Sequence, residues 1–157
     1  MTFSELLYTI VGIFIGASAY HFLSKDRTDR DSFNQAAKEL RDTFLTELKG
    51  LYPDPSEWPP RIDVFLKSKF TALQAAVAKF KPFLPKRQQQ PFEDAWRKYY
   101  GWTGREVDIG LQTYYDYFPT RGTYVLNDEE GSYDNTETYQ SNFKANVDKI
   151  LSFAEPK

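Results

Sequence analysis

Few side chains in this 157-residue chain have the types and spacing that do chemistry: one histidine, His21, the adjacent carboxylates Glu93 and Asp94, and the acidic run NDEEGSYDN from Asn127 to Asn135. In that run Asp128, Glu130, Ser132 and Asp134 alternate like the oxygen ligands of a calcium loop. Such a loop also needs a glycine at its sharp bend and a bidentate glutamate at its end, and Tyr133 and Tyr139 stand at those positions, so a solvated turn is expected instead. Glu93 and Asp94 are neighbours on a helical stretch and do not face each other as an acid and a base, which leaves them to solvent or ion pairs. With no cysteine and one histidine, disulfides, thiolate zinc sites, cysteine nucleophiles and multi-histidine metal sites are excluded. The phosphate-loop, nucleophile-turn and zinc-helix motifs are absent as well. The expectation is therefore no catalytic residue, no metal and no cofactor. A site assembled only by folding would leave no such spacing, so an enzymatic or ligand-binding domain stays open as an alternative.

Something must position the rest, and the first candidate is an N-terminal apolar helix. Leu6 to Leu23 contains no Asp, Glu, Lys or Arg, and eighteen helical residues cover about 27 Å, close to a bilayer's hydrocarbon thickness. Lys25, Arg27 and Arg30 follow the segment and no basic side chain precedes it, which predicts a single-pass bacterial inner-membrane protein with a cytoplasmic C-terminal domain. The small-x-small triplet Ala17-Ser18-Ala19 keeps a cleaved signal peptide open, although Met1 to Glu5 lacks the basic start of one. Gly12 and Gly16, with Ala19 on roughly the same side, make a surface on which another membrane helix could pack closely. The spacing Ala17-x-x-x-His21 resembles the pigment-binding pattern of photosynthetic antenna polypeptides, which implies an imidazole on a bacteriochlorophyll magnesium. The resemblance covers five residues, the rest of the chain departs from that family, and a histidine at the headgroup level accounts for His21 equally well.

Beyond a polar joint, four further stretches carry apolar residues at helical spacing. Phe33, Ala37, Leu40, Phe44 and Leu48, widened by Leu45 and Leu51, form the first stripe, which Gly50 and Pro53 end. Ile62, Phe65, Leu66, Phe70, Leu73, Val77 and Phe80 predict a second helix over 61–80. After a bend at Pro82 to Pro85, Phe92, Trp96 and Tyr99 or Tyr100 mark a third face that Pro91 either begins or dents. A last helix is expected over 136–154 with Tyr139, Phe143, Val147, Ile150 and Phe153 inward. Glycines and Pro119 break residues 101–135 into turns with one short helix or a small hairpin. The expected fold is mainly all-α: a transmembrane anchor over 1–24, then over 25–157 an antiparallel bundle of about four helices with an irregular aromatic-rich insertion.

Charge is uneven along the chain. Residues 24–60 hold 6 basic and 8 acidic side chains, residues 61–98 hold 9 and 3, and residues 99–157 hold 5 and 10. Lys67, Lys79, Lys81, Lys86 and Arg87 thus predict contact with anionic lipid or an acidic partner, unless they pair with the acidic final third. The basic-aromatic run KPFLPKRQQQPF belongs to no nucleic-acid module, so no nucleic acid is expected. Aromatics make up 17% of the chain, and Tyr115, Tyr117 and Phe118 in the irregular segment are expected to meet a partner. The composite expectation is a non-catalytic, membrane-anchored accessory, scaffold or assembly subunit that contacts membrane-protein subunits through its anchor and aromatic segment. A tethered ligand-binding or enzymatic domain and a lipid-surface protein using the basic helices are the alternatives.

Overall fold

The first described helix ends where the sequence withdraws its support. A computed structural model describes residues 28–101, 113–126 and 129–156, and α1 occupies 28–47. Phe33, Ala37, Leu40, Phe44 and Leu48 are all buried on one side. Leu45 is not, at 45% exposure, because it falls one residue past the stripe and a helix turns about 100° per residue. Gly50 follows with φ +88, a left-handed conformation that ends a helix at little cost only for glycine. Its carbonyl accepts the amides of Ser56 and Glu57, folding the proline-rich loop back on itself.

The second helix, α2, runs Ile62–Phe80 and leads through a 3-10 turn, Lys81–Phe83, into α3, Lys86–Tyr99. Pro91 lies inside α3 on its exposed side, where its missing N–H removes one rung without opening the core. Gly101, with φ +82, closes α3. A Cβ there would stand 2.2 Å from Thr113 Oγ1 and 3.1 Å from the Tyr114 amide, so only glycine lets the chain recross at Thr113, whose amide bonds the Tyr100 carbonyl. A 3-10 turn at Tyr115–Tyr117 and an antiparallel hairpin of β1 (Arg121–Leu126) and β2 (Glu129–Asp134) then precede α4, Tyr139–Leu151, and a final 3-10 turn, Ser152–Ala154.

Side-chain pairs give the topology. Phe33 meets Phe80 and Glu47 meets Lys69, so α1 and α2 run antiparallel. Phe80 meets Phe92 and Phe70 meets Tyr100, so α2 and α3 do too. Phe92 touches Phe153 and Tyr99 touches Phe143, which reverses α4 against α3. Arg41 closes the ring by donating from α1 to the carbonyls of Ala154 and Leu151 at 2.9 and 3.2 Å, a cation on the negative end of α4. Beside it Tyr52 donates to Asp148 at 2.7 Å, and burial first, then that bond, pushes the phenol up to about 12. The result is an up-down-up-down four-helix bundle.

Two expectations change here. Among the described residues no helix is long and apolar enough to cross a membrane, and the 6–23 stretch with Gly12, Gly16, Ala19 and His21 lies outside them. Among the described residues the fold supported is an all-α four-helix bundle with no transmembrane helix, so the single-pass, inner-membrane and membrane-subunit expectations are not supported. Two tyrosines of the aromatic segment also turn inward. Tyr114 and Tyr117 are each 1% exposed, and Tyr117 donates to the Tyr99 carbonyl at 2.7 Å while accepting from Asn146 at 3.0 Å. That hydroxyl satisfies one of the carbonyls a helix C-terminus leaves open. Within the acidic run, Glu129–Asp134 form β2 of the hairpin, with Ser132 and Asp134 exposed to solvent, and the pKa of the Asp134 carboxyl is lowered chiefly by the Thr136 hydroxyl, with Arg121 adding to it.

Two neighbouring buried tyrosines should respond oppositely to losing a hydroxyl. The Tyr99 oxygen is fully buried without a hydrogen-bond partner among the described residues, so Tyr99→Phe is expected to leave stability unchanged or raise it by about 1 kcal/mol. Tyr117→Phe strands Asn146 and the Tyr99 carbonyl, and should cost about 1–3 kcal/mol in urea unfolding of the same chain.

Candidate functional site

The α2 stripe ends in two lysines and a proline, and α3 begins in Lys86 and Arg87, so the turn joining them gathers cations at one end of the bundle. Their partners differ. Lys79 reaches back to Glu39 of α1, Lys67 stands 3.9 Å from Asp63, and Lys81 donates to Glu93 at 2.5 Å. Lys69, also basic, pairs with Glu47. These acids belong to α1 or to the same two helices, not to the acidic final third, because α1 rather than the hairpin packs beside α2. Lys86 and Arg87 are exposed and have no ion pair among the described residues. Between the two groups Phe83 sits on the 3-10 turn with 41% of its surface in water, its direction fixed by Pro82 and Pro85 on either side. No acidic residue occupies the first turn of α3 and no side chain caps it, so two cations stand where the helix dipole disfavours them.

A cleft of about 370 Å3 opens between α2 and α3, lined by Gln74, Val77 and Lys81 on one side and Phe92, Glu93, Trp96, Arg97 and Tyr100 on the other. The antiparallel packing of the two helices brings these together from positions twenty-two residues apart in the case of Gln74 and Trp96. The Trp96 indole donates to Gln74 Oε1 at 2.6 Å, and its ring stacks on Phe70 at 5.5 Å and on Tyr99 at 5.2 Å. Glu93 is gripped from both ends, by Lys81 on Oε2 and by Arg97 on Oε1 at 2.6 Å. The hydrogen bond from Lys81 is the main reason its carboxyl titrates below the ordinary glutamate range, with the Arg97 charge adding to it. Burial raises the Tyr100 phenol, with the Arg97 charge partly opposing. Glu93 therefore has no proton to give near neutrality and holds its lone pairs against two cations, a poor general acid and a weak base.

The sequence-derived candidates are thus separated. Lys79, Lys81, Lys86 and Arg87 come together around the α2–α3 turn, while Lys67 lies more than two helical turns back along α2. Tyr117 is core, Phe118 packs partly buried against it, and the Tyr115 side chain lies outside what the structure describes. Gln74, Trp96 and Arg97 were not singled out as site residues, since no single-helix spacing relates α2 to α3. The one sequence signal was the i,i+4 pair Glu93 and Arg97. Among the described residues no cluster of acids or histidine could hold a metal ion. No protein family, curated protein or solved structure matches this chain.

The Glu93 clamp should be visible in acid. A carboxyl depressed by folding contributes stability that is present above its unfolded pKa and lost as pH falls through the lower folded one. Glu93→Gln should flatten the decline of the thermal midpoint across that acid window, and lower the midpoint at neutral pH, in melts recorded from neutrality downwards.

Proposed function

We propose that this chain is a non-catalytic interaction domain that docks an acidic segment of a protein partner on the turn between α2 and α3. The observation that carries this reading is the pairing pattern: Lys67, Lys69, Lys79 and Lys81 each have a carboxylate, whereas Lys86 and Arg87 beside the exposed Phe83 have none among the described residues. An uncompensated pair of cations attracts carboxylates and speeds their encounter. The phenyl ring gives an apolar contact of up to about 1.5–3 kcal/mol if a partner covers it fully. A short tip with one aromatic suits a segment that carries acids around an apolar residue. It suits a broad anionic lipid surface less, because the cations that would spread the field along α2 are engaged with Asp63, Glu47 and Glu39. The ionised, doubly clamped Glu93 supports a binding role over proton-transfer chemistry.

Fluorescence anisotropy with a labelled Asp/Glu-rich peptide carrying one leucine tests the proposal. Binding should weaken about tenfold in the double variant K86Q/R87Q and again in F83S, fade as salt rises, and leave the melting curve unchanged because all three side chains are exposed. Equal binding of a Gln/Asn analogue of the peptide, or no effect of F83S, would overturn it. So would capture of the chain by anionic vesicles in the absence of peptide binding.

A further inference from the structure

The two ends of the bundle carry opposite charge. Where α2 turns into α3, Phe83 is 41% exposed, and Lys86 and Arg87 beside it are exposed with no ion pair among the described residues. The hairpin stands at the other end. Its base is fixed beside the C-terminus of α3: Tyr117 donates to the Tyr99 carbonyl, the Asn135 amide donates to the Thr120 carbonyl at 3.0 Å, and the Asn135 side chain donates to the Asp116 carbonyl at 3.3 Å. The 14 residues of α3 put about 20 Å between the two ends. β1 and β2 pack chiefly on each other and make at most slight contact with α2, α3 or α4, so the hairpin does not lie back along the bundle toward the tip.

Asp128-Glu129-Glu130, at the turn end of the hairpin, is the one run of three consecutive acids in the chain. The only base of the hairpin, Arg121, is at the opposite end of the ribbon and is engaged by Asp134 at 2.7 Å. Register pairs Leu126 with Glu129 and Val125 with Glu130, so an aliphatic position is matched to an acidic one twice in succession. Acids beside an apolar residue are the ligand class that the Phe83 tip suits.

We propose that this chain associates head to tail with further copies of itself, the turn end of one copy's hairpin docking on the Phe83 tip of the next. The proposal rests on the docking reading above and names its partner. A symmetric dimer through two hairpins would set acids against acids, and one through two tips would set cations against cations. Only the head-to-tail arrangement brings Glu129 and Glu130 to Lys86 and Arg87. A two-stranded ribbon packed on itself is marginal in water, and docking supplies the further surface it lacks. Because the two halves of the interface are different surfaces, each contact leaves one hairpin and one tip free, and assembly continues into chains or closes into rings.

The test is sedimentation velocity of the full-length chain at rising concentration, up to about 1 mM. The average size is expected to grow with concentration and to fall as salt is added. E129Q/E130Q and K86Q/R87Q should each weaken association about tenfold or more. An equimolar mixture of the two variants should regain association but stop at dimers, since the first keeps its tip and the second its hairpin, and that recovery also shows that neither has lost its fold. If the parent chain stays monomeric while the labelled acidic peptide binds the tip, the docking reading stands and the head-to-tail inference falls. If the peptide fails as well, both fall. Association that survives either double variant, or a mixture that grows beyond dimers, overturns the inference too.

Discussion

The bundle is organised around one ring. Tyr99 lies within 6.3 Å, centroid to centroid, of Phe44 from α1, Trp96 from its own helix, Tyr114 and Tyr117 from the returning segment, and Phe143 from α4. The second helix joins through Phe70, which stacks on Trp96. Aromatic contacts of this kind add about 0.5–1.5 kcal/mol beyond the area they bury, and here they are shared among all four helices, so none can shift without disturbing the others. The Tyr99 carbonyl is part of the same constraint, since the Tyr117 hydroxyl that bonds it fixes where the chain re-enters after α3. The cleft inherits its shape from this arrangement: Trp96 and Tyr100 line it because the next residue along, Tyr99, is held at the centre.

Electrostatics is arranged around that core rather than through it. The only polar or charged residue classed as buried among those described is Asn146, at 7% exposure, and it is bonded to Tyr117. Ion pairs are kept at the rim, where each is worth little singly but where their pattern decides which cations remain open. The bundle neutralises α2 with α1, and it leaves the start of α3 bare. That asymmetry, more than total charge, distinguishes one end of the molecule.

Helix periodicity made much of this legible in the sequence. The stripe Phe33, Ala37, Leu40, Phe44 and Leu48 is inside, as are Leu66, Leu73, Val77, Phe92, Phe143 and Ile150, because a heptad-like pattern determines which face of a helix is buried without knowing the partner. Periodicity has nothing to say about which helix meets which, and the ion pairs depend on that: Lys79 with Glu39 and Lys81 with Glu93 join positions forty and twelve residues apart. Tyr117, in the tyrosine-rich segment, was misplaced for a related reason. The composition of that segment suits an interface and an interior equally, and only the open carbonyl at the end of α3 selects the interior for Tyr117. The α2–α3 cleft was illegible for both reasons at once, its parts lying on two helices and none belonging to a motif. The apolar stretch from Leu6 to Leu23 lies outside the described residues, and none of the helices described is long and apolar enough to take the membrane-spanning role its composition suggested.

The guanidinium of Arg41 links positions separated by 110 and 113 residues along the chain, and that distance has a consequence for how the protein is made. A chain emerging from the ribosome has α1, α2 and α3 long before the residues that Arg41 grips. Until they appear, Phe92 and Tyr99 lack Phe153 and Phe143, and an aromatic flank stays wet. At about 5–20 residues per second the interval between Tyr99 and Ala154 lasts on the order of 3–10 s, long compared with the microseconds in which helices form. Until α4 emerges, the three helices before it lack the partner that covers this flank, so closure of the ring waits for the residues that Arg41 grips.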